Sequence, residues 1–236
     1  FLWPRLDEEE EKRFYRDEFA GFMQSREGSG REPLTAEAHR ERNEALRIER
    51  MQRLTPYLPK GGTVLEVGCA SGFMLLPLQV SGYECMAIEP SGLFQTDLKA
   101  RGIPTCSTLD EMVRGENLKF DFIMHFFVLE HVGNPIEFLA LQLDLLAAGG
   151  HLVFEIPCGN DALLDLYNLN SFRDFYFQIG HQWVFTPQSM EHVLKGLGYP
   201  YEIIPRQRYG LANHLTWLEQ GRPGGNSRLQ EELGPQ

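Results

Sequence analysis

The sequence lacks any long hydrophobic run. No stretch of its 236 residues approaches the roughly 18 consecutive apolar residues that a membrane-spanning helix needs. It also shows no secretory signal peptide, because the opening Phe1-Leu2-Trp3 is followed at once by an acidic segment. We therefore expect a cytoplasmic protein that has no membrane partner.

Cysteine is scarce, and its spacing argues against a metal site. The four cysteines, Cys69, Cys85, Cys106 and Cys158, lie far apart and form no Cys-x-x-Cys pair. This distribution argues against zinc and favours free thiols in a reducing compartment. The sequence also has no Asn-x-Ser/Thr glycosylation acceptor, which agrees with an intracellular protein.

Positive charge is in short supply. The chain has 22 Lys and Arg residues against 33 Asp and Glu residues, which gives a formal net charge of −11 at pH 7. Such a charge is unfavourable for binding the phosphate backbone of DNA or RNA. The composition therefore predicts that the partner is not a nucleic acid. We expect the chain to act as a monomer or a homodimer.

What the sequence does have is a regular alternation of strand-like and helix-like segments after residue 62. The predicted strands are 63–67, 83–88, 103–106, 120–126 and 151–156. Their alternation with helices predicts an α/β fold, with a Rossmann-like, doubly wound, mostly parallel sheet and helices on both faces. In this fold, ligands bind at the carboxyl ends of the strands, near the switch point beside the first strand.

The remaining segments are placed around this sheet. Residues 1–58 are predicted to form an N-terminal helical cap, residues 59–220 the α/β domain and residues 221–236 an irregular tail. The stretch 158–186 is rich in aromatic residues and poor in charge. Such aromatics are often core residues, but after the fifth strand they can also wall a pocket, and we predict a lid insertion here.

The cap contains two predicted helices, over residues 8–22 and 35–54. In the longer helix, an apolar stripe is formed by Ala45, Ile48, Met51 and Leu54. The opposite face carries Arg40, Arg42, Arg47 and Arg50. The simpler interpretation is a solvated face. The alternative is that an arginine meets an anionic substrate or a cofactor carboxylate.

The first predicted strand runs into the glycine turn Glu66-Val67-Gly68-Cys69-Ala70-Ser71-Gly72. Gly68 and Gly72 permit positive φ angles and a close approach of a ligand to the backbone. The turn lacks the Gly-Lys-Ser/Thr end of a mononucleotide P-loop, which excludes that site. It also lacks the Gly-x-Gly-x-x-Gly of a dinucleotide site, and the carboxylate of Glu66 would repel a pyrophosphate.

The remaining interpretation is a nucleoside ligand with a cationic tail that carries no phosphate. Glu89 stands at the end of the second predicted strand. A carboxylate at that position can accept both ribose hydroxyls. S-adenosylmethionine fits this requirement, since it combines an adenosine with a sulfonium, an ammonium and a carboxylate.

Four segments together resemble one enzyme family. Residues 64–72, 87–91, 120–132 and 145–157 are similar to the class I S-adenosylmethionine-dependent methyltransferases. The run Val128-Leu129-Glu130-His131-Val132 resembles the subgroup of ubiquinone-pathway O-methyltransferases and bacterial sugar or natural-product methyltransferases. The resemblance covers about residues 60–225. It implies S-adenosylmethionine as the cofactor and S-adenosylhomocysteine as its product.

The resemblance also implies the cofactor contacts. Glu66 would meet the amino group of the methionine moiety, and Glu89 would hold the ribose hydroxyls. The backbone around the methionine moiety would come from Gly68, Cys69, Ala70, Ser71 and Gly72. The residues beside the adenine would be Pro90, Ser91, Leu109 and Asp110. The methionyl side near the sulfonium would be lined by His125 and Phe126.

An alcohol, phenol or carbon acid must lose a proton to accept a methyl group, and histidine is the natural base near neutral pH. We expect His131 and His181 as catalytic residues, together with Glu130, and His214 is a third candidate base. Some relatives hold a divalent cation with Glu-x-x-Glu-His and a later histidine. Because Phe127 replaces the first glutamate here, we expect no metal at the site.

The resemblance therefore implies a methyltransferase that transfers a methyl group, most readily to oxygen, on a small acceptor such as a sugar or natural-product intermediate. Two alternatives stay open. One is a nicotinamide-dependent oxidoreductase or epimerase on the same fold, against which the missing third glycine and the absent Tyr-x-x-x-Lys pair argue. The other is a non-catalytic module that binds the cofactor.

Overall fold

A computed structural model describes residues 8–14, 35–113, 118–178, 180–207 and 209–224. By its contacts the chain divides into two compact units, one within residues 6–156 and the other within residues 157–236. The predicted helix over residues 8–22 is described only as far as residue 14, and most of the predicted tail lies outside the described residues. None of the described helices is both long enough and apolar enough to span a membrane.

The first unit contains the sheet and seven of the described α-helices. Its helices are α1 (Glu8–Arg13), α2 (Ala36–Arg42), α3 (Glu44–Leu54), α4 (Leu75–Val80), α5 (Gly92–Ala100), α6 (Leu109–Val113) and α7 (Pro135–Asp144). Its strands are β1 (Thr63–Val67), β2 (Glu84–Ile88), β3 (Thr105–Cys106), β4 (Phe120–Phe126) and β5 (Leu146–Glu155). A single 3-10 turn, Leu129–His131, follows β4.

The strands lie in the order β3-β2-β1-β4-β5, and each neighbouring pair is parallel. On one face Val64 and Phe122 pack against residues of α3, α4 and α5. On the other face Leu65 and Ile123 pack against residues of α6 and α7. The predicted Rossmann-like fold is therefore confirmed, with helices on both faces. Because β2 and β4 flank β1, the switch point lies at the carboxyl ends of β1 and β4.

Two local predictions fail in the cap. The helix predicted over 35–54 is interrupted at Asn43, whose amide side chain donates to the carbonyl of His39 at 2.8 Å. The predicted apolar stripe is also rotated, because Ile48 is 46% exposed whereas Arg50 is 5% exposed. The burial of Arg50 shows that the basic face of this helix is not uniformly solvated.

The second unit is helical in its described residues. Its helices are α8 (Ala162–Asp165), α9 (Asn170–Tyr176), α10 (Pro187–Leu197) and α11 (Leu211–Gln220). The aromatic stretch supplies much of its core, where Phe172 meets Trp217 edge-on with ring centroids 5.0 Å apart. A lid over a pocket stays a prediction. Residues 201–204, a short, mostly apolar run of Tyr-Glu-Ile-Ile, form no strand in the structure.

Candidate active site

The glycine turn has the backbone conformation that its sequence predicts. Gly68 and Gly72 both have φ of 69°, and the intervening Ala70 has φ of 50°. A Cβ atom on Gly68 would lie 2.6 Å from Cγ2 of Val128, and one on Gly72 would lie 2.6 Å from Cδ2 of Leu98. Both glycines are therefore required by the protein's own packing as well as by any ligand above the turn.

Replacing Gly68 with alanine is expected to destabilise the protein. The left-handed backbone costs about 1–2 kcal/mol for a residue with a Cβ atom, and the collision with Val128 adds to that cost. Gly102→Ala is the matched control, since Gly102 has φ of 79° but its Cβ would meet only Gln79 at 3.9 Å. Urea unfolding should show a larger loss for Gly68→Ala than for Gly102→Ala, and equal losses would contradict the packing argument.

Glu89 joins the turn to the loop that follows β2. It is 6% exposed, and its Oε2 accepts a hydrogen bond from the backbone N–H of Ala70 at 2.7 Å. Its Oε1 accepts from the N–H of Ser91 at 2.8 Å. Burial raises the pKa of Glu89, while these two N–H donors favour the ionised form. A fixed carboxylate therefore stands beside the turn, at the position predicted to hold ribose hydroxyls.

Glu66 lies on β1, just before the turn, and is 2% exposed. Its Oε2 has no hydrogen-bond partner among the described residues. Burial raises the pKa of Glu66 to about 8, and the positive charge of Arg50 opposes that shift. A buried carboxyl oxygen without a partner is costly. The arrangement is one that an ammonium group of a ligand would satisfy.

Arg50 belongs to the site, although the sequence identified it only as one of four arginines on the predicted basic face. Its Nε donates to Oε2 of Glu155 at 3.1 Å, and its guanidinium carbon lies 3.9 Å from the ring centroid of Phe126. The Coulombic effect on Glu66 places this charge near the turn. The spacing of Arg50 to Leu54, one helical turn later and 4% exposed, was the signal that could have identified it.

The other predicted cofactor residues differ in accessibility. Cys69 and Ser71 are buried within the turn. The loop after β2 leaves Pro90 exposed. At the start of α6, Leu109 packs into the core with Met112, whereas Asp110 is exposed. These positions stay candidates for the adenine contacts.

His125 lies in the core of the sheet. It is fully buried, and its ring stacks on Phe154 with centroids 4.9 Å apart and meets Phe138 edge-on at 5.5 Å. Neither ring nitrogen has a hydrogen-bond partner among the described residues. Phe138 belongs to α7, so this ring faces α7, and we leave it out of the proposed cofactor contacts. Phe126, the next residue, lies under Arg50 instead.

The 3-10 turn after β4 carries two of the predicted catalytic residues. Glu130 is 1% exposed, and neither of its carboxyl oxygens has a hydrogen-bond partner in another described residue. Burial raises the pKa of Glu130 to about 8, and the negative charge of Glu155 adds to the shift. The Nε2 atom of His131 lies 3.8 Å from Oε1 of Glu130. A proton on His131 would favour the ionised form of Glu130, so the two groups influence each other's protonation.

His181 belongs to the second unit, in the segment before α10. Its Nδ1 lies 2.8 Å from the carbonyl oxygen of Tyr176. A carbonyl only accepts hydrogen bonds, so Nδ1 carries the proton and Nε2 holds the lone pair of the neutral ring. The hydroxyl of Tyr176 in turn donates to the carbonyl of Cys158 at 2.8 Å. This chain of contacts sets the tautomer that a general base requires. His214, the third candidate, lies on α11.

Comparison with known proteins agrees with this geometry. The profile of a family described as a methyltransferase domain matches residues 38–202. A tRNA U34 carboxymethyltransferase from Pseudoalteromonas translucida is 34% identical over 112 residues, which cover 44% of this chain and 35% of that protein. A ubiquinone biosynthesis O-methyltransferase from Roseobacter denitrificans is 27% identical and covers 39% of each chain. The chain thus spans less than half the length of these two relatives.

A solved structure shows the same fold. The S-adenosylmethionine-dependent methyltransferase from Archaeoglobus fulgidus aligns with a TM-score of 0.57 at 19% identity, over 78% of this chain and 75% of that one. One prediction is corrected by the comparisons. Six of the matching curated proteins are tRNA U34 carboxymethyltransferases. The exclusion of a nucleic-acid partner was therefore wrong, because net charge describes the whole surface and a local site can differ from it.

The family profile extends over more than half of the chain, from α2 to beyond α10, and includes the glycine turn, Glu89 and the His131 turn. The chain belongs to the class I S-adenosylmethionine-dependent methyltransferases.

Proposed function

We propose that this methyltransferase acts on an oxygen atom of a small molecule, such as a sugar or a natural-product intermediate. The observation that carries the cofactor half of the proposal is the pair of buried carboxyl groups, Glu66 and Glu89, on the two sides of the glycine turn. The fit to the cofactor is chemical: Glu66 has an unpartnered oxygen for an ammonium, and Glu89 has acceptor oxygens for hydroxyls.

In this proposal each buried charged side chain contacts a different group of the cofactor. Glu89 accepts hydrogen bonds from the ribose hydroxyls, and Glu66 accepts from the amino group. Arg50, whose Nε donates to Glu155, lies near Glu66, and its positive charge is suited to the cofactor carboxylate. When bound, S-adenosylmethionine supplies the methyl group, and the electron pair of the broken carbon–sulfur bond stays on sulfur.

The acceptor proton is assigned to a histidine. His131 takes the proton from the acceptor hydroxyl, and the imidazolium that forms lies beside Glu130 and favours the ionised form of that group. His181 is the second candidate base, because its Nδ1–H is committed to Tyr176 and its Nε2 is the basic atom. The proposal needs no divalent cation, since both histidines can act as general bases by themselves.

A second candidate acceptor is a tRNA nucleoside. It is supported by the six carboxymethyltransferase relatives, whose matches run over 44–62% of this chain. Those matches leave more than half of each relative's length without a counterpart in the alignment. Coverage does not separate the two candidates, because the ubiquinone biosynthesis O-methyltransferase is also matched over only 39% of its length. We rank the small-molecule acceptor first because the run 128–132 resembles the O-methyltransferase subgroup.

The acceptor is tested with S-adenosylmethionine labelled in its methyl group. The label is followed into nucleotide sugars, into phenolic natural products and into unmodified tRNA, and product masses should increase by one methyl group. Label in a small molecule supports the proposal. Label only in tRNA overturns it in favour of the second candidate. Thermal stabilisation by a nicotinamide cofactor and none by S-adenosylhomocysteine would overturn the cofactor assignment.

The base is tested with His131→Ala and His181→Ala. We expect the variant that lacks the base to lose about 100-fold or more in kcat while its affinity for S-adenosylhomocysteine stays unchanged. The matched control is His192→Ala, since His192 is exposed on α10. Dialysis against a chelator should leave turnover unchanged. Wild-type turnover in both variants would remove the histidine assignment, and loss of turnover with the chelator would contradict metal-free catalysis.

A further inference from the structure

Ser71, inside the glycine turn, is held by helix α2 rather than by the sheet. The Oγ atom of Ser71 lies 2.8 Å from Nδ1 of His39. The carbonyl oxygen of Ser71 accepts a hydrogen bond from Nη1 of Arg40 at 3.1 Å. Ser71 is fully buried, so these two contacts are shielded from water. Adjacent residues of one helix therefore hold the hydroxyl and the carbonyl of the same turn residue.

Arg40 also connects α2 to the helix that follows Glu89. Its Nη1 lies 2.6 Å from Oδ2 of Asp97 on α5, and Nε of Arg101 lies 3.0 Å from the same oxygen. Although partial burial acts against it, the two guanidinium groups lower the pKa of Asp97. The carboxylate therefore stays ionised at neutral pH and fixes Arg40 against α5. The guanidinium group of Arg40 therefore contacts both the turn after β1 and the helix after β2.

The ring of His39 is oriented by its surroundings. Its centroid lies 5.4 Å from that of Phe94 on α5 and 5.9 Å from that of Phe73, which follows the turn. The side-chain amide of Asn43 donates to the backbone carbonyl of His39 at 2.8 Å, where α2 ends. The helix break at Asn43 thus sets the position of His39. A residue held from three sides can hold Ser71 in turn.

The turn needs such support because its backbone is strained. Ala70 has φ of 50°, a conformation that costs a residue with a Cβ atom about 1–2 kcal/mol. Glu89 holds the N–H of Ala70 on one side. His39 and Arg40 hold the next residue on the other side. Strained conformations persist where neighbouring contacts determine them from several directions.

Stability alone gives little reason for an arginine at position 40. Its Nη2 atom is buried and has no hydrogen-bond partner among the described residues. A partly buried cation with an unpaired donor contributes less to stability than a packed apolar side chain of similar size. The contact to the carbonyl of Ser71, one residue from the Glu89 contact, points instead to a role in shaping the cofactor site.

We propose that His39 and Arg40 are positioning residues for the cofactor: they fix Ser71 so that the backbone N–H groups of the turn keep the orientation that the methionine end of S-adenosylmethionine requires. This inference rests on the cofactor site of the proposed function. It assigns to α2 an influence on cofactor affinity that acts through Ser71. Neither residue is assigned a contact with the reacting atoms.

The test compares binding of S-adenosylhomocysteine with thermal stability in single variants. His39→Ala and Arg40→Ala should each weaken binding about tenfold, which corresponds to the loss of one shielded hydrogen bond. Arg40→Lys should recover part of the affinity, because an ammonium can still donate to Ser71 and pair with Asp97. Arg42→Ala is the matched control, since Arg42 is exposed on the same helix. It should bind like the wild type.

If the larger changes unfold the chain, Ser71→Ala is the milder test. It removes only the side-chain contact to His39. It too should bind S-adenosylhomocysteine more weakly than the wild type. Variants that bind like the wild type but melt earlier would overturn the positioning role and leave α2 a purely structural helix. A wild-type protein that does not bind S-adenosylhomocysteine would instead overturn the cofactor site itself, so the two failures are distinguishable.

Discussion

Replacing Glu89 with glutamine is expected to weaken the binding of S-adenosylhomocysteine about 100-fold, which corresponds to about 3 kcal/mol. In the protein, the two oxygens of Glu89 accept from the N–H groups of Ala70 and Ser91. A glutamine has one oxygen and one NH2 group, so one of these N–H donors would face another donor. The amide also carries no charge to attract ribose hydroxyls.

The control for this variant is Glu84→Gln. Glu84 begins the same strand, β2, and is exposed, so the change alters the same residue type without touching the site. Isothermal titration should show unchanged affinity for Glu84→Gln. If Glu89→Gln also binds like the wild type, Glu89 is only a clamp between two loops, and the ribose assignment is wrong.

The second large effect is a dependence of cofactor affinity on pH. The pKa of Glu66 is raised to about 8 by burial in the free protein. An ammonium bound beside it would favour the ionised form and lower that pKa, so binding would release a proton. Affinity should therefore rise with pH by up to about tenfold per pH unit below pH 8 and level off above it. Below about pH 8 the carboxyl group of Glu66 has to lose its proton before it can pair with the ammonium group of the cofactor.

Glu66→Gln separates this effect from titration of the cofactor's own amino group, which is present in both proteins. The difference in pH dependence between wild type and Glu66→Gln belongs to the Glu66 carboxyl group. We expect the variant to bind more weakly at pH 8 and to lose the steep part of the profile. Parallel profiles for the two proteins would show that Glu66 does not exchange its proton on binding.

The fold was predictable because its signals are local. The apolar runs of β1 and β4 have the bounds that the sequence predicts, 63–67 and 120–126. The glycines at the end of β1 were recognisable because glycine after a strand favours a tight turn with positive φ, and Gly68 and Gly72 both have φ of 69°. Glu66 and Glu89 could be selected because each stands at the carboxyl end of a strand, where parallel sheets bind ligands.

Other site features depend on packing between distant segments, which a pattern in one helix does not contain. Ile48 and Arg50 lie on different sides of α3. Which side is buried depends on how the helix packs against the sheet, and in the structure it is the side of Arg50. His39 was not singled out, because its partner Ser71 is 32 residues away in the sequence. The net charge of −11 likewise says nothing about which surface meets a partner.

His125, which stacks on Phe154 and meets Phe138 edge-on, can report on opening of the sheet. Burial lowers the pKa of His125 to about 3, whereas its value in an unfolded chain is 6.5. Between those two pH values His125 binds a proton in the unfolded chain but stays neutral in the folded chain. The free energy of unfolding therefore decreases as the pH falls below 6.5. In an NMR titration, this imidazole should keep the signal of a neutral ring while solvent-exposed histidines titrate. A sudden change in its signal would mark the cooperative separation of β4 from β5 and α7.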